Sequence, residues 1–572
     1  MTFSYSRLFA PIFILLLPTF VGCGQQRLNL TPGEYSEEIR FPDIYEDISV
    51  FEKPECTTSS VKVGQGLLCG NQIGASGGKG AAAYLGIPYA ESTGGGNRWR
   101  APVPKAGWSG VLRATRLGPS CPQNADLDYP QSEDCLSLNV WTPLNGADTP
   151  RAVMVFIYGG AFVFGSNCDP TYDGAYTAAY GDVVVVSMNY RLGALGFLAG
   201  VEDKRTGEKI NGNFGLQDQI LALKWVRENI EAFGGDPEKI TVYGESAGAM
   251  SIGIHLVRPE TSKLFRAAIM GSNPYGVPYK SLKNAESITK RFAHNLGCPK
   301  DDIECMRGKL PAVVLYAQQQ RNLIWPSVFN GLRDLLAWSP VIDRDFLKGQ
   351  PLEMLTEGAT DKPIIVGTNR NEGLLFVEKT KSTLQVGEIS DFEYRLAIDF
   401  IFRDNEIREK IYENYPPNKD RNAEIISKII TEYLFTCPNH YAASDGSSRA
   451  WYYLFDHVSS FNFWPSVPAC KDAVCHSDEL PYVFHTAAER GDSFTPQEKL
   501  LSNLMVGYWT DFAKYLRPDR SGSEWPPYMP GSMKLVFVTP VAQIKADDEK
   551  NADCEFWDKI GYDLTGSFWG LF

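Results

Sequence analysis

The 572-residue sequence contains only six histidines, and it has no cluster of basic residues, no repeat period, no heptad array and no phosphate-binding P-loop. Its formal net charge is -13. An acidic chain without a basic patch is a poor partner for nucleic acid or for anionic membrane surfaces. The scarcity of histidine narrows any search for a catalytic base to positions 255, 294, 440, 457, 476 and 485.

The apolar stretch near the N-terminus has the length and order of a secretion signal. Residues 8–21 are mainly apolar, follow Arg7 and precede Gly22-Cys23. Such a stretch is too short for a comfortable membrane span. We predict a signal peptide over residues 1–22, a polar arm or linker over residues 23–55, and one folded domain over residues 56–572.

Residues 20–23, Phe-Val-Gly-Cys, resemble a bacterial lipoprotein box, whose cysteine is lipidated after cleavage. Ordinary cleavage near Gly24 is the alternative, and the sequence leaves both open. In either case we expect an exported protein, secreted or anchored through a lipid on Cys23, and periplasmic or at the outer membrane if the source is bacterial. Export permits disulfides. Of the twelve cysteines, those other than Cys23 are odd in number, so at least one has no partner within the chain.

Short β-branched runs alternate with longer amphipathic segments along the chain. The runs at residues 152–157, 183–186, 240–243 and 364–366 have the apolar character of strands buried on both faces. Residues 216–233 place apolar side chains at three- and four-residue spacing, which predicts a helix that Gly234 ends. This alternation predicts an α/β fold with a large, mostly parallel, doubly wound sheet flanked by helices.

The pentapeptide Gly244-Glu245-Ser246-Ala247-Gly248 stands between a predicted strand and a segment of small residues that favours a buried helix. Strand, G-x-S-x-G and helix in this order form a nucleophile elbow, whose sharp turn exposes the serine hydroxyl to a base. A second copy at residues 74–78, centred on Ser76, has no preceding strand, and its glycines cannot open a helix. Ser246 is therefore the candidate nucleophile, and Ser76 is assigned to a loop.

An activated serine needs a base and a carboxylate that orients the base. His476 lies in a polar loop with small neighbours, well after the elbow. From spacing alone His457 remains a rival, because it follows the apolar run 452–455, and His485 is a third choice. Glu372 follows the predicted strand at 363–366, at the sheet edge where ligand-facing loops lie. A solvated loop glutamate would give the same pattern.

Small residues after the predicted strand 152–157 can direct backbone amides into a cavity. We expect the amides of Gly160, Ala161 and Ala247 to form an oxyanion hole, with a plain tight turn as the alternative at residues 159–161. The candidates extend from residue 159 to residue 476 and must meet in one site. One domain therefore has to span that range, although the length alone would allow several domains.

Taken together, these motifs resemble the type-B carboxylesterase family, which includes cholinesterases, fungal lipases and the non-catalytic neuroligins. The resemblance runs from about residue 60 to about residue 560. The stretches that carry it are LGIPYA at 85–90, SEDCLSLN at 132–139, GGAF at 159–162, NFGLQDQ at 213–219, FGGDP at 233–237, GESAG at 244–248 and NEG at 371–373.

The resemblance implies an α/β-hydrolase fold and a catalytic triad of Ser246, Glu372 and His476, which makes His457 structural. It implies a serine ester hydrolase that forms a covalent acyl-enzyme and needs no metal or organic cofactor. It also places Glu245 and Ser272 beside the triad. Here the sequence departs from the family, which often has Gln-Ser-Gly where this chain has Gly271-Ser272-Asn273.

The resemblance further implies three disulfides, Cys121–Cys135, Cys298–Cys305 and Cys437–Cys554. It gives no guide to the other cysteines. Proximity along the chain suggests Cys56–Cys69 and Cys470–Cys475, and this assignment leaves Cys168 single. A bridge at Cys475 would stiffen the loop that carries His476.

The loop closed by Cys121 and Cys135 is short and contains no tryptophan. Cholinesterases place a choline-binding tryptophan there, and lipases have a longer lid. We therefore expect a small-molecule ester with a short or medium acyl chain and no preference for choline esters, unless Trp338, Phe463 or Trp464 lines the pocket. The alternatives are a lipase for longer lipid esters and a non-catalytic, cholinesterase-like adhesion or binding protein. The sequence predicts no oligomeric state.

Overall fold

The computed structural model describes residues 55–562, apart from residues 75–78, 126, 128, 147–148, 325–331, 333–334, 446–448, 530–532, 540–541 and 547. The predicted signal peptide, Cys23, nearly all of the polar arm and Ser76 lie outside the described residues. A search of the described residues finds no helix with the length and apolar character that crossing a membrane requires.

The strands follow in chain order. They are β1 (Val61–Val63), β2 (Gly66–Cys69), β3 (Asn71–Gly74), β4 (Gly80–Pro88), β5 (Val111–Arg113), β6 (Ser137–Pro143), β7 (Arg151–Ile157), β8 (Val184–Met188) and β9 (Val201–Glu202). They continue as β10 (Lys209–Ile210), β11 (Gly235–Glu245), β12 (Ala267–Gly271), β13 (Lys280–Ser281), β14 (Val341–Ile342), β15 (Ile364–Asn369), β16 (Ala450–Phe455), β17 (Met533–Phe537) and β18 (Gln543–Ala546).

The α-helices lie between these strands and after them. They are α1 (Ala175–Gly181), α2 (Gly193–Phe197), α3 (Phe214–Asn229), α4 (Ala247–Leu256), α5 (Pro259–Ser262), α6 (Leu282–Asn295), α7 (Ile303–Arg307), α8 (Pro311–Gln318) and α9 (Arg321–Ile324). They continue as α10 (Pro351–Thr356), α11 (Glu372–Leu384), α12 (Asp391–Ile401), α13 (Asn405–Asn414), α14 (Asn422–Ile430), α15 (Cys437–Asp445), α16 (Leu480–Phe484), α17 (Pro496–Tyr515) and α18 (Asp548–Ile560).

Eleven strands form one sheet in the order β18-β17-β16-β15-β12-β11-β7-β8-β6-β4-β3. The pairings from β17 through β8 are parallel, and the pairings at the two ends of the sheet are antiparallel. The predicted α/β-hydrolase fold, with a mostly parallel sheet flanked by helices, is confirmed. The central strands β7, β8, β12, β15 and β16 are buried along their whole length, as expected of strands covered by helices on both faces.

The predicted helix at 216–233 is confirmed as α3 followed by one 3-10 turn, Ile230–Phe233. Gly234, in the left-handed conformation with φ 78°, ends it. The next residue, Gly235, already pairs with Arg151 of β7, so β11 begins several residues before the apolar run 240–243. The sheet therefore extends into a stretch that the sequence pattern marks as a turn.

Five disulfides are present, and they match the predicted pairs Cys56–Cys69, Cys121–Cys135, Cys298–Cys305, Cys437–Cys554 and Cys470–Cys475. Among the described cysteines Cys168 is free, and it is buried. The Cys437–Cys554 bridge spans 117 residues and joins the start of α15 to α18. The C-terminal helix is thus tied covalently to the helical region before β16.

We expect removal of the Cys437–Cys554 bridge by paired serine substitutions to lower the free energy of unfolding by about 4–5 kcal/mol, because its loop is long. Removal of Cys298–Cys305, whose sequence separation is 7, should cost about 2 kcal/mol by the same chain-entropy relation. Denaturant unfolding of both double variants tests this difference. Equal destabilisation by the two would contradict the loop-length argument.

Candidate active site

Ser246 occupies the sharp turn between β11 and α4. Its backbone has φ 55° and ψ -124°, a conformation that costs energy and is retained where a site needs it. The flanking glycines have no room for a side chain. A Cβ at Gly244 would lie 2.7 Å from the carbonyl oxygen of Ile157, and one at Gly248 would lie 1.9 Å from the same atom. The close approach of β7 thus explains both glycines of the elbow.

Ser246 lies where two cavities meet. The larger cavity, about 220 Å³, is also lined by Gly160, Glu245 and His476. A smaller cavity of about 50 Å³ is lined almost entirely by apolar side chains and shares Ser246 and Ala161 with the larger one. A substrate carbonyl at Ser246 would therefore have a narrow apolar pocket on one side and a wider, partly polar space on the other.

His476 and Glu372 form a buried hydrogen-bonded pair, with 2.6 Å between Nδ1 and Oε2. Glu372 is the first residue of α11, and its other oxygen accepts the backbone N–H of Asn369 at 2.7 Å. The opposite ring nitrogen, Nε2, is 3.1 Å from Oε1 of Glu245. Among the described residues no hydrogen bond joins His476 to Ser246. Such bonds are often long without a substrate, and both side chains line the same cavity.

Buried carboxyl groups surround His476. Burial and the nearby charge of Glu372 raise the pKa of Glu245, and burial together with Glu245 raises the pKa of Glu479. Burial of the His476 ring opposes its charged form, but the charges of Glu245, Glu372 and Glu479 outweigh burial and raise its pKa to about 9. The raised pKa values of Glu245 and Glu479 draw these groups toward their neutral forms, which weakens their pull on the His476 proton.

The residues predicted to form the oxyanion hole line the two cavities that meet at Ser246, with Gly160 and Ala161 in the wall of the larger one and Ala161 and Ala247 in the wall of the smaller one. Gly160 and Ala161 both have positive φ, 105° and 53°, in the turn that follows β7. Within the described residues their N–H groups have no acceptor, and Ala247 opens α4, where first-turn amides lack a helical partner. A Cβ at Gly160 would lie 2.1 Å from the carbonyl oxygen of Phe164, so this turn requires glycine.

Comparison with known protein families shows to which family the chain belongs. The sequence profile of the "Carboxylesterase family" matches residues 57–557. The chain belongs to the carboxylesterase family. The resemblance predicted from the sequence is thereby confirmed, and family membership supports ester hydrolysis as the general class of activity. In the described residues no group of three or more His, Cys, Asp or Glu side chains is arranged to hold a metal ion.

Three curated relatives of this carboxylesterase-family chain match over most of their length. "Crystal protein" of Dictyostelium discoideum is 36% identical over 502 residues, covering 84% of this chain and 88% of the relative. The "cAMP-regulated D2 protein" of the same organism is 36% identical over 450 residues, 76% and 81% of the two chains. "Acetylcholinesterase" of Bungarus fasciatus is 32% identical over 515 residues, covering 83% of this chain and 82% of the relative.

The two rival histidines predicted from the sequence have partners away from the elbow serine. Nε2 of His457 lies 3.1 Å from Glu498, and Nδ1 of His485 lies 2.7 Å from the hydroxyl of Ser502. Of these three candidate bases in the carboxylesterase-family fold, His476 is the one that lines a cavity together with Ser246. Ser272 is fully buried, and among the described residues its hydroxyl has no hydrogen-bond partner. The role of Ser272 beside the triad therefore stays a prediction.

Two aromatic neighbours of His476, Phe376 and Phe435, were not predicted from the sequence, whereas Trp464 was named there as a possible pocket residue. The rings of Phe376 and Phe435 lie on its sides, each with a centroid distance of 5.2 Å. Trp464 donates its indole N–H to the backbone oxygen of His476 at 2.6 Å. Phe435 lies in a π-helical segment, Thr431–Thr436, between α14 and α15, and such segments are frequent at functional sites. Isolated aromatic residues carry no sequence signal that would have marked them.

Proposed function

We propose that the protein is a serine carboxylesterase that acts through Ser246, His476 and Glu372. The observation that supports this most directly is the buried His476–Glu372 hydrogen bond at the cavity whose wall carries the elbow serine. A carboxylate on Nδ1 favours the imidazole tautomer whose Nε2 carries no proton and can accept the one from serine. Nothing else in the described cavity wall combines a strained serine turn with a histidine and a buried acid.

In the proposed reaction, the Ser246 oxygen attacks the ester carbonyl while its proton passes to Nε2 of His476. The negative oxygen that develops would receive hydrogen bonds from the amides of Gly160, Ala161 and Ala247. The imidazolium then protonates the departing alcohol oxygen, which leaves an acyl-Ser246 ester. Water attacks this ester by the same route, with His476 again taking and returning the proton, and the carboxylic acid is released.

The alternative is a non-catalytic binding protein of the same family. Labelling with a fluorophosphonate, followed by peptide mapping, distinguishes the two. We expect the phosphonate on Ser246, since only an activated serine reacts at a useful rate. Intact protein that remains unlabelled would support the binding-protein alternative. Filled triad positions favour the enzyme.

The small apolar cavity supports a preference for short or medium acyl chains. Besides Ser246 it is lined by Met250, Leu336, Phe376 and Leu434, among others. We expect kcat/KM for p-nitrophenyl acetate or butyrate to exceed that for the dodecanoate by roughly fivefold to a hundredfold, because forcing surplus methylenes into a packed pocket costs about 1–3 kcal/mol. Leu336→Ala should shift the optimum to longer acyl chains. A parent enzyme that prefers the dodecanoate would indicate a lipase.

The pH dependence should reflect the carboxyl groups around His476. The base must be neutral to accept the Ser246 proton, so activity is lost as the pH falls through the His476 pKa. Because that pKa is raised to about 9, we expect the acid limb of kcat/KM above 6.5, the usual histidine value. Glu245→Gln removes the carboxylate beside Nε2 and should move the limb to lower pH. An acid limb at the same pH in both proteins would contradict this assignment.

We also propose that the protein is exported. Five disulfides within one chain are typical of oxidising compartments. Whether Cys23 carries a lipid stays a prediction, because that residue lies outside the described part of the chain. The proposed partner is a small-molecule ester. Peptide mapping of the mature N-terminus would separate cleavage before Cys23 from cleavage near Gly24.

A further inference from the structure

Two aromatic rings in the wall of the larger cavity each have a basic side chain of the protein against one face. The guanidinium carbon of Arg490 lies 4.2 Å from the centroid of the Phe463 ring. Nζ of Lys379 lies 4.4 Å from the centroid of the Trp464 ring. Phe463 and Trp464 line the cavity, and so does Arg490. One face of each ring is therefore already covered by a side chain of the protein.

Arg490 is held in this position by three further contacts. Nη1 donates to the hydroxyl of Thr171 at 2.8 Å, and Nη2 donates to the backbone oxygen of Phe463 at 3.1 Å. Nε lies 3.8 Å from a carboxylate oxygen of Asp492. A guanidinium fixed by two hydrogen bonds and an aromatic face has little freedom to swing away when a ligand enters.

The rest of the cavity wall would otherwise suit a positive charge. It contains the carboxyl groups of Asp169 and Glu245 as well as the aromatic ring of Tyr172. Acidic and aromatic side chains together are the usual surroundings of a bound quaternary ammonium. With Arg490 in the wall, however, the charge nearest to Phe463 is already positive. A ligand cation at that face would meet a like charge rather than a free ring.

We propose that Arg490 is a specificity-determining residue that excludes cationic alcohols from the larger cavity. The proposal rests on the esterase function proposed above. Lys379 lies against Trp464 in the same way, but burial lowers its pKa to about 7, so it adds to the effect only at acidic to neutral pH. The alcohol part of the natural ester would then be uncharged, with oxygen atoms that can accept hydrogen bonds from the guanidinium. Without Arg490 the wall would keep the carboxyl group of Asp169 and the aromatic rings, which suit a quaternary ammonium.

The test compares two thioesters of equal acyl group and shape, acetylthiocholine and its uncharged isostere, 3,3-dimethylbutyl thioacetate. The readout is the ratio of their kcat/KM values, choline ester over isostere, within one protein. Such a ratio does not depend on the fraction of folded enzyme. We expect a ratio of one or less for the parent, and a rise of about tenfold in Arg490→Gln, since removing a unit charge in a partly solvated wall changes a nearby ion's energy on that scale.

Two matched variants complete the experiment. Arg490→Lys retains the positive charge and should keep the parent ratio. Arg421→Gln removes an exposed arginine that pairs with Glu424 and should leave the ratio unchanged. A parent ratio of ten or more, or an unchanged ratio in Arg490→Gln, would overturn the proposal. If the parent hydrolyses neither thioester, the esterase function fails instead, and calorimetric dissociation constants of choline and 3,3-dimethylbutanol, measured on the same variants, decide the charge proposal.

Discussion

Ser246→Ala is expected to lose hydrolysis of p-nitrophenyl acetate by at least about a thousandfold, since losing the nucleophile of a triad removes several powers of ten in rate. The fold should be unaffected. Ser246 is partly exposed at the cavity, and among the described residues its side chain makes no hydrogen bond. We expect the melting temperature of Ser246→Ala to stay within a few degrees of the parent value.

Ser76→Ala is the matched control, because Ser76 is the central serine of the second G-x-S-x-G pattern in the chain. It should keep the parent rate. More than a tenth of the parent activity in purified Ser246→Ala would show that another residue is the nucleophile. A large loss in Ser76→Ala would show that the strand and helix flanking the elbow are poor guides to the working serine.

The parts of the fold that could be predicted from the sequence are those with local causes. Buried parallel strands need continuous apolar runs, and β7, β8 and β15 lie where those runs are. The elbow could be predicted because one close contact with β7 requires glycine at both of its flanking positions. The start of β11 at Gly235 could not, because it depends on pairing with Arg151, far away in the chain.

The residues of the candidate site likewise include some that could be predicted from the sequence and some that could not. Ser246 and Glu372 each follow a predicted strand, so their positions relative to the sheet edge could be inferred, whereas only the family resemblance decides for His476 over His457. The closeness of the Glu479 carboxyl group to Glu245 could not be inferred, because it depends on how the loop after Cys475 folds back over β12. Likewise, nothing in the spacing of Lys379, Phe463, Trp464 and Arg490 shows that two basic side chains cover two rings.

The acids around His476 also show why a single pKa from model peptides misleads here. An isolated imidazole titrates near 6.5, and burial alone would lower that value. Three carboxyl groups reverse the direction and raise the His476 pKa. Burial in turn raises the pKa of Glu245 and of Glu479. The charge on His476 thus depends on protons held by its neighbours, and the pH profile belongs to the cluster as a whole.

Glu372→Gln is expected to lower kcat by about a thousandfold to ten-thousandfold. The glutamine oxygen can still accept the backbone N–H of Asn369, so the start of α11 should hold its place. Its amide group would instead face Nδ1 of His476 and donate to it. That hydrogen bond favours the tautomer with the proton on Nε2, which cannot accept the Ser246 proton.

The matched control for this substitution is Glu378→Gln in the same helix, where the carboxylate pairs with Lys381 at 2.8 Å. It loses the same charge but should keep kcat, because Glu378 is remote from the His476 pair. Steady-state kinetics on both variants, with thermal unfolding to confirm folding, make the comparison. A loss smaller than tenfold in Glu372→Gln would mean that Glu245, 3.1 Å from the other ring nitrogen, rather than Glu372, governs the state of the His476 ring.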